Sequence, residues 1–434
     1  MDSPEHSTLS LKRLNTVQQF ALKAVSLAVL FASSTSVALA GGFQLTEQSS
    51  LALGRSYAGM GVDGTDLSGT FYNPASMTLH SGLQIQAGGV GVGLNLPYKS
   101  DTDASHDQNG RKKPEFVPFL YVTKQLTDRL WTGLSFTVPF GLSTEYDAHW
   151  DQADRGYRAS IKVVDLNPNL AFKVTDTFSI GGGVSLQYVK AKLGFTVAGA
   201  DFDAQQENFA WGWNIGAMWS PLENVRVGLS YRSAVTHKTD GDLKVMGKTY
   251  DSYITMDAPS YFILSAAWDI NPTWSVYASA RKTDWSSFTD LTLDSPVVRS
   301  LQQVAYMRMG GNLATMPNFS TSRSIKTEWR DTYLYTVGAD YRLNPTWTLR
   351  AGFGYERSPI SQPELRSGTI PDADRWWFSV GASYHFSEAF QADFGLAHLH
   401  GVHERGIYND QGKKIGEFER LDAYLFGLQA QYRF

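Results

Sequence analysis

From Trp347 the chain places an apolar side chain at every second position, Trp347, Leu349, Ala351, Phe353 and Tyr355, with Thr348, Arg350, Gly352, Gly354 and Glu356 between them. Successive side chains of a strand point to opposite faces, so this stretch has one greasy face and one polar, glycine-rich face. The pattern recurs in Tyr424 to Phe434, in Val225 to Arg232 and in Phe390 to Ala397. A soluble β-sandwich alternates too, but it buries its aliphatic face and leaves charges outside. Here Arg226, Arg350 and Asp393 sit in mid-strand opposite an apolar face that ends in aromatic rings. Charge inside and grease outside is the inverted pattern of a closed barrel in lipid.

The connections agree. Short polar turns recur at 127–129, 175–177, 221–224, 271–273, 344–346 and 387–389, and most are followed by an aromatic: Trp131, Phe178, Trp274, Trp347, Phe390. Rings there would form a girdle at the periplasmic interface. Longer polar stretches, 98–115, 144–159, 288–331 and 402–418, alternate with these turns and are expected on the cell surface. Strands are predicted at 82–97, 116–125, 130–143, 160–173, 178–193, 211–220, 225–237, 258–269, 274–287, 332–343, 347–357, 376–386, 390–401 and 419–434. The fold class is therefore all-β: a 14-stranded antiparallel transmembrane β-barrel. An even count returns both ends to the periplasm, and closure leaves no unpaired edge in lipid. The terminal Phe434 fits recognition by the barrel-assembly machinery.

Lys12, Arg13 and Lys23 precede the apolar run Ala24 to Phe31, and Ala38-Leu39-Ala40 follows it. This predicts a signal peptide over 1–40, cleaved before Gly41, because the run is shorter than the ~20 residues a spanning helix needs. The destination is the outer membrane of a Gram-negative cell, in contact with its lipid and lipopolysaccharide, and a monomer is expected. The chain has no Cys, which excludes disulfides, thiolate metal sites and a Cys nucleophile. A formal net charge of −4 offers nothing to nucleic acid.

Residues 41–81 do not alternate and precede the first strand, yet they carry Phe43, Leu45, Leu51, Leu53, Tyr57, Phe71 and Tyr72. That is more apolar content than a disordered tail holds, so the stretch is expected inside the lumen as an N-terminal hatch (plug), with 82–434 as the barrel.

Specific motifs sharpen the reading. Gly42-Phe43-Gln44-Leu45, Gly54 to Gly59, Asn73-Pro74-Ala75, Gly141 to Tyr146, Tyr231-Arg232-Ser233, Glu328 to Tyr333, Ser358-Pro359 and Ile370 to Trp377 lie in order along the mature chain. In these the sequence resembles the long-chain fatty-acid transporter (FadL) family. The resemblance implies a fourteen-stranded barrel with a hatch, in which a hydrophobic substrate binds an apolar pocket touching the hatch and leaves sideways into the bilayer at a kink in the third strand. The kink would fall at Val138-Pro139-Phe140-Gly141, where Pro139 cannot donate to a ladder and Gly141 permits a bulge. Asn73, Pro74 and Ala75 would lie against it from inside and control it. Phe43, Leu45, Phe71 and Phe195 are the expected apolar ligand contacts. Lys190, Lys192 and Arg330, with Lys326, are candidate partners for a carboxylate, although lumen or loop charges explain them equally well. An aromatic hydrocarbon needs no such partner, so both substrate classes stay open.

Other constellations carry less. Gly241 to Thr249 resembles a phosphate loop with one residue too many and no strand-loop-helix context. His398, His400 and His403 share metal-ligand chemistry, but the third falls in a loop and no carboxylate partner is evident, so no metal is expected. No cofactor motif appears. An outer-membrane lipase or deacylase needs no linear motif and stands as the rival class, along with a non-specific porin; neither requires a hatch.

Overall fold

The computed structural model describes residues 41–109, 114–197, 199–308, 310–403, 405–409 and 411–434; the expected signal peptide lies outside them. Fourteen strands form the wall: β1 Leu83–Asn95, β2 Glu115–Gln125, β3 Leu130–Glu145, β4 Arg158–Lys173, β5 Phe178–Val197, β6 Ala200–Leu222, β7 Val225–Arg232, β8 Tyr261–Asp269, β9 Trp274–Thr283, β10 Thr332–Arg342, β11 Trp347–Glu356, β12 Asp374–His385, β13 Phe390–Val402 and β14 Asp422–Arg433. Each pairs antiparallel with its neighbours in sequence, and β14 closes on β1 from Gln84↔Arg433 to Asn95↔Asp422. Closure gives each wall strand a protein neighbour on both sides, which hydrocarbon cannot supply.

The alternating faces point as their chemistry demands. Leu349, Phe353, Leu396, Phe426 and Leu428 are exposed on the outside, while Arg350, Asp393, Arg232 and Gln429 are buried inside. Trp274 and Trp347 join the exposed ring at the turn end, but Trp131 does not. It turns inward, and its indole N–H donates to the His80 carbonyl at 2.8 Å, so the lumen contents claim a residue expected in the girdle.

The connections depart further from expectation. The stretch 194–210 is not a loop, because β5 and β6 run on to Val197 and Ala200 and pair throughout. β7 stops at Arg232, and Val235–Val245 and Lys248–Ala258 form a separate hairpin. That hairpin pairs with the upper part of β6 on one side and with Asp290–Asp294 on the other, raising one side of the wall. Val235, Leu243, Ile254 and Met256 of this hairpin are buried, so a period-2 pattern was present there and belonged to the wall. The long connection before β10 holds two short paired strands and a helix at Pro296–Arg308.

Candidate functional site

Residues 41–80 lie inside the ring of strands. Residues of this segment touch the wall all round: Ser50 beside Gly395 and Gly427, Gly54 beside Gly381, Arg55 beside Gly338 and Gly352, Asn73 beside Gly216 and Gly228, Pro74 and Ala75 beside Gly181, Met77 beside Gly133. At each of these wall glycines a Cβ would collide with the segment, so the glycine-rich inner face seen in sequence is what admits a backbone here. Wall arginines hold it: Arg232 donates to the Phe71 carbonyl at 3.0 Å, Arg226 to the Val62 carbonyl at 3.0 Å, and Arg281 to the Thr46 hydroxyl at 2.9 Å. Their charges are matched by Asp165, Asp269 and Glu356 at 3.1, 2.9 and 3.0 Å. From the segment, Arg55 pairs with Asp63 and with Asp340 of β10. Burying cations in a lumen is tolerable only with such partners.

The ladder between β2 and β3 is cut short. β2 pairs with β3 only from Leu120↔Phe136 to Gln125↔Trp131, although β2 continues to pair with β1 up to Glu115. On its other side β3 pairs with β4, with a register shift between Thr137 and Phe140. Pro139, lacking an N–H, stands inside that bulge, as its chemistry predicts. The freed backbone groups are taken up by the N-terminal segment. Leu45 N–H donates to the Pro139 carbonyl at 2.8 Å, and Gly141 N–H donates to the Phe43 carbonyl at 2.9 Å. The Gln48 side-chain amide donates to the Val138 carbonyl at 2.8 Å and accepts from its N–H at 3.3 Å. Residues 43–48 thus stand in for the missing strand partner.

Above this seam sits a buried aromatic cluster. Phe43 lies 4.7 Å from Trp285, 5.4 Å from Phe288, 5.9 Å from Phe140 and 6.1 Å from Trp329, centroid to centroid. Gly42 adopts φ +73° and lies so close to Trp285 and Trp329 that a Cβ would overlap both rings, which explains a glycine there. Its N–H donates to Asp372 at 2.9 Å. Burial pushes the Asp372 carboxyl up from its ordinary value, against the pull of Arg375 and of that N–H. Trp329 also lines a pocket with a cavity volume of about 40 Å³. Ala159, Ile161, Leu193, Phe195, Leu291, Leu293, Ile325 and Ile370 line it, and Arg155, Arg158 and Arg323 stand among its lining residues. The Arg323 guanidinium lies over the Phe195 ring at 4.7 Å, and Arg158 is held by Glu145 at 2.8 Å and Asp203 at 3.3 Å. A stack of Tyr146 on Trp150 at 4.3 Å belongs to a further buried cluster among the loops.

The residues named from sequence fall into three groups. Phe43 and Phe140 meet in the aromatic cluster, Leu45, Phe71 and Val138 share a second cluster, and Phe195 lines the pocket. Lys190, Lys192 and Lys326 are not brought there. They are exposed, the first two on the outer face in step with Val184 and Leu186, because β5 turns its odd positions inward. Arg330 donates to the Ser358 carbonyl at 3.0 Å, and burial together with Arg357 holds its guanidinium below its usual value. Asn73, Pro74 and Ala75, expected against the third-strand break, are seated instead on the glycines of β5, β6 and β7. Asn73 donates to the Ala217 carbonyl at 3.0 Å and accepts from Ala75 N–H at 3.2 Å, capping the turn that follows. The seat at the break belongs to Phe43, Leu45 and Gln48. Sequence reasoning missed Gln48, Trp285 and the pocket arginines Arg155, Arg158 and Arg323; the available signal was a pair of tryptophans, Trp285 and Trp329, in the one connection between β9 and β10.

Known proteins bear on this arrangement. A family model described as "Outer membrane protein transport protein (OMPP1/FadL/TodX)" matches residues 31–434. The long-chain fatty acid transport protein of Escherichia coli O6:H1 is 27% identical over 459 residues, covering 94% of this chain and 98% of that protein. Among solved structures, a FadL homologue of Pseudomonas aeruginosa superposes with a TM-score of 0.78 at 23% identity, covering 91% of this chain and 100% of that one. The toluene transporter TodX of P. putida superposes at 0.68 with 16% identity, over 91% and 99%.

Proposed function

Because this chain belongs to the outer membrane protein transport family (OMPP1/FadL/TodX), we propose that its pocket and broken wall form one route for a hydrophobic molecule. The chain is an outer-membrane β-barrel, and relatives in its family are named as transporters of long-chain fatty acids or of toluene. The observation that carries the reading is continuity. Trp329 lines the apolar pocket and lies 6.1 Å from Phe43, ring to ring, and the backbone of Phe43 is bonded to β3 at the break. A greasy molecule gains nothing from an aqueous pore, and a sideways exit spares it the cost of water. In this reading residues 41–81 are the hatch that bars polar solutes. Phe43 is the part of it the substrate displaces, and the gap between β2 and β3 is the exit.

Between the two substrate classes, the arginines of the pocket favour a long-chain carboxylic acid. A guanidinium carries five donors, so Arg158 and Arg323 can donate to a carboxylate in addition to the partners they already hold. Binding of a C16 acid, the matching alcohol and toluene to the purified protein tests this. The acid is expected to bind roughly tenfold more tightly than the alcohol, about 1.4 kcal/mol, and to lose that margin in Arg158→Ala/Arg323→Ala. Toluene binding tightly, with acid and alcohol equal, would move the substrate class to aromatic hydrocarbons. The exit is tested separately by Pro139→Val/Gly141→Thr, which restores a donor and disfavours the bulge. Assembly and acid binding are expected to survive while uptake collapses. Unchanged uptake would send the substrate through the lumen to the periplasm, and joint loss of binding and uptake would make these residues part of the pocket.

A further inference from the structure

The outer face of the barrel, opposite the lumen, carries a set of groups that the transport route does not use. His398 and His400 occupy alternate positions of β13 and therefore share one face, the outward one that also carries the exposed Leu396. Across the ladder His400 is paired with Asp422 and His398 with Tyr424, whose ring is exposed on the same face. The register therefore delivers two imidazoles and one carboxylate to a single spot at the loop end of the wall. Asp422 divides its oxygens between them: Oδ1 lies 2.9 Å from His400 Nδ1, and Oδ2 lies 3.8 Å from His398 Nε2. One donor atom from each of the three falls within 4.8 Å of the others.

We propose that His398, His400 and Asp422 form a binding site for a divalent transition-metal ion of the Zn²⁺, Co²⁺ or Ni²⁺ kind. Ligands about 2.0–2.2 Å from such an ion stand roughly 3 Å apart, so the present spacing needs only small side-chain rotations. Two neutral imidazoles with one carboxylate select these ions over Ca²⁺ or Mg²⁺, which demand oxygen. Three protein ligands leave a position for water, and the two rings are partly exposed, 39% and 47% of their side-chain surface. Two details support a built site over a chance ion pair. The His398 ring is stacked on Tyr424 at 4.8 Å with planes 4° apart, which fixes its direction. Its Nε2 is shielded yet makes no hydrogen bond, a poor arrangement for an imidazole unless something else occupies that lone pair. His403, the third histidine of the sequence cluster, takes no part; it turns to Asp374 at 3.3 Å. A bound ion would tie β13 to β14 at the root of the loop they carry, next to the seam where β14 closes on β1.

The test uses the full mature protein in detergent at pH 7.5, titrated with Zn²⁺ alone and, separately, with Co²⁺ followed by its visible absorption. One ion per chain is expected at micromolar Zn²⁺, with affinity falling tenfold or more in His398→Ala, His400→Ala and Asp422→Asn and unchanged in His403→Ala. Heat-modifiable mobility on gels reports whether each variant is folded. Should any fail to fold, protection of His398 and His400 from diethylpyrocarbonate by Zn²⁺ in the unaltered protein, mapped by mass spectrometry, decides the matter. No binding below millimolar Zn²⁺, or undiminished binding in folded His398→Ala/His400→Ala, overturns the site and leaves an ordinary histidine–aspartate pair.

Discussion

The two halves of the lumen are built on opposite rules. Toward the short turns the inner wall is glycine, arginine and amide, and peptide fills it: Gly352 and Gly338 receive the Arg55 backbone, and Gln429 accepts from Ser50 N–H at 2.7 Å. Toward the loops the inner wall is Ile161, Val163, Val189, Phe202, Leu243 and Ile254, buried against one another and around a pocket. The difference is a difference of contents. A peptide brings N–H and C=O groups that must be paired, so its surroundings supply donors, acceptors and room for a backbone. An apolar ligand brings only surface, and an apolar wall asks nothing else of it. One barrel thus holds a resident peptide below and, in the proposed reading, receives a hydrophobic substrate above.

The strongest way to break this comparison is to empty the lower half. Deleting 41–81 removes no strand-to-strand ladder, only the pairing of 43–48 with β3 at the break, so the barrel is expected to assemble, while its glycine-lined lumen floods. Conductance in planar bilayers should rise from near zero to that of an open pore, and small polar solutes should leak. A deletion that assembles and stays tight would show that the upper half alone seals the molecule. A pair of small substitutions sharpens the point. Gly352→Ala places a methyl against the Arg55 backbone, which cannot swing away, and should cost about 2–3 kcal/mol. Ala159→Val adds carbon to the pocket instead, and should cost under about 1 kcal/mol while weakening ligand binding. Denaturant midpoints in lipid vesicles, with ligand affinity alongside, separate the two; equal costs would erase the distinction. On the lipid side, Phe353→Arg should impair assembly by ~2–4 kcal/mol, independent of either half.

Much of this was legible because a barrel strand obeys one short-range rule. Alternation alone placed the strand cores of β1 to β14, and the outward faces of Leu349 and Phe426 followed from it. It failed where strands run above the membrane. There 200–210 and 235–258 alternate without a long apolar face, and polar residues such as Gln206 and Thr239 are buried, so the pattern reads as loop. The candidate site was only half legible for a different reason. Pro139 and Gly141 announce a break through their own chemistry, but which peptide covers it depends on contacts such as Gln48 with Val138, 90 residues apart in sequence. A glutamine such as Gln48 looks like any polar residue until its partner is known. The lysines of β5 misled because basic character says nothing of facing, and one position of register decides it.

Gln48 offers the finest probe, because it acts at the joint between resident peptide and wall. Its amide both donates to and accepts from Val138, the residue just before Pro139, and Val138 is fully buried. Gln48→Leu keeps the volume and removes both partners, leaving an N–H and a C=O unpaired in a dry site. An unsatisfied buried group costs about 1–3 kcal/mol, so the break should open locally by that amount. The rest of the barrel has its own ladders, and its denaturant midpoint should barely move. The expected signature is therefore local: the Val138 amide should exchange with solvent roughly ten- to a hundredfold faster, while amides in β11 and β12 keep their rates. Gln48→Glu separates pairing from shape, since its carboxylate can accept from the Val138 N–H but cannot donate to the carbonyl. If the Val138 amide exchanges no faster in either variant, Gln48 is not what satisfies the break, and the wall there stands without help from the segment inside it.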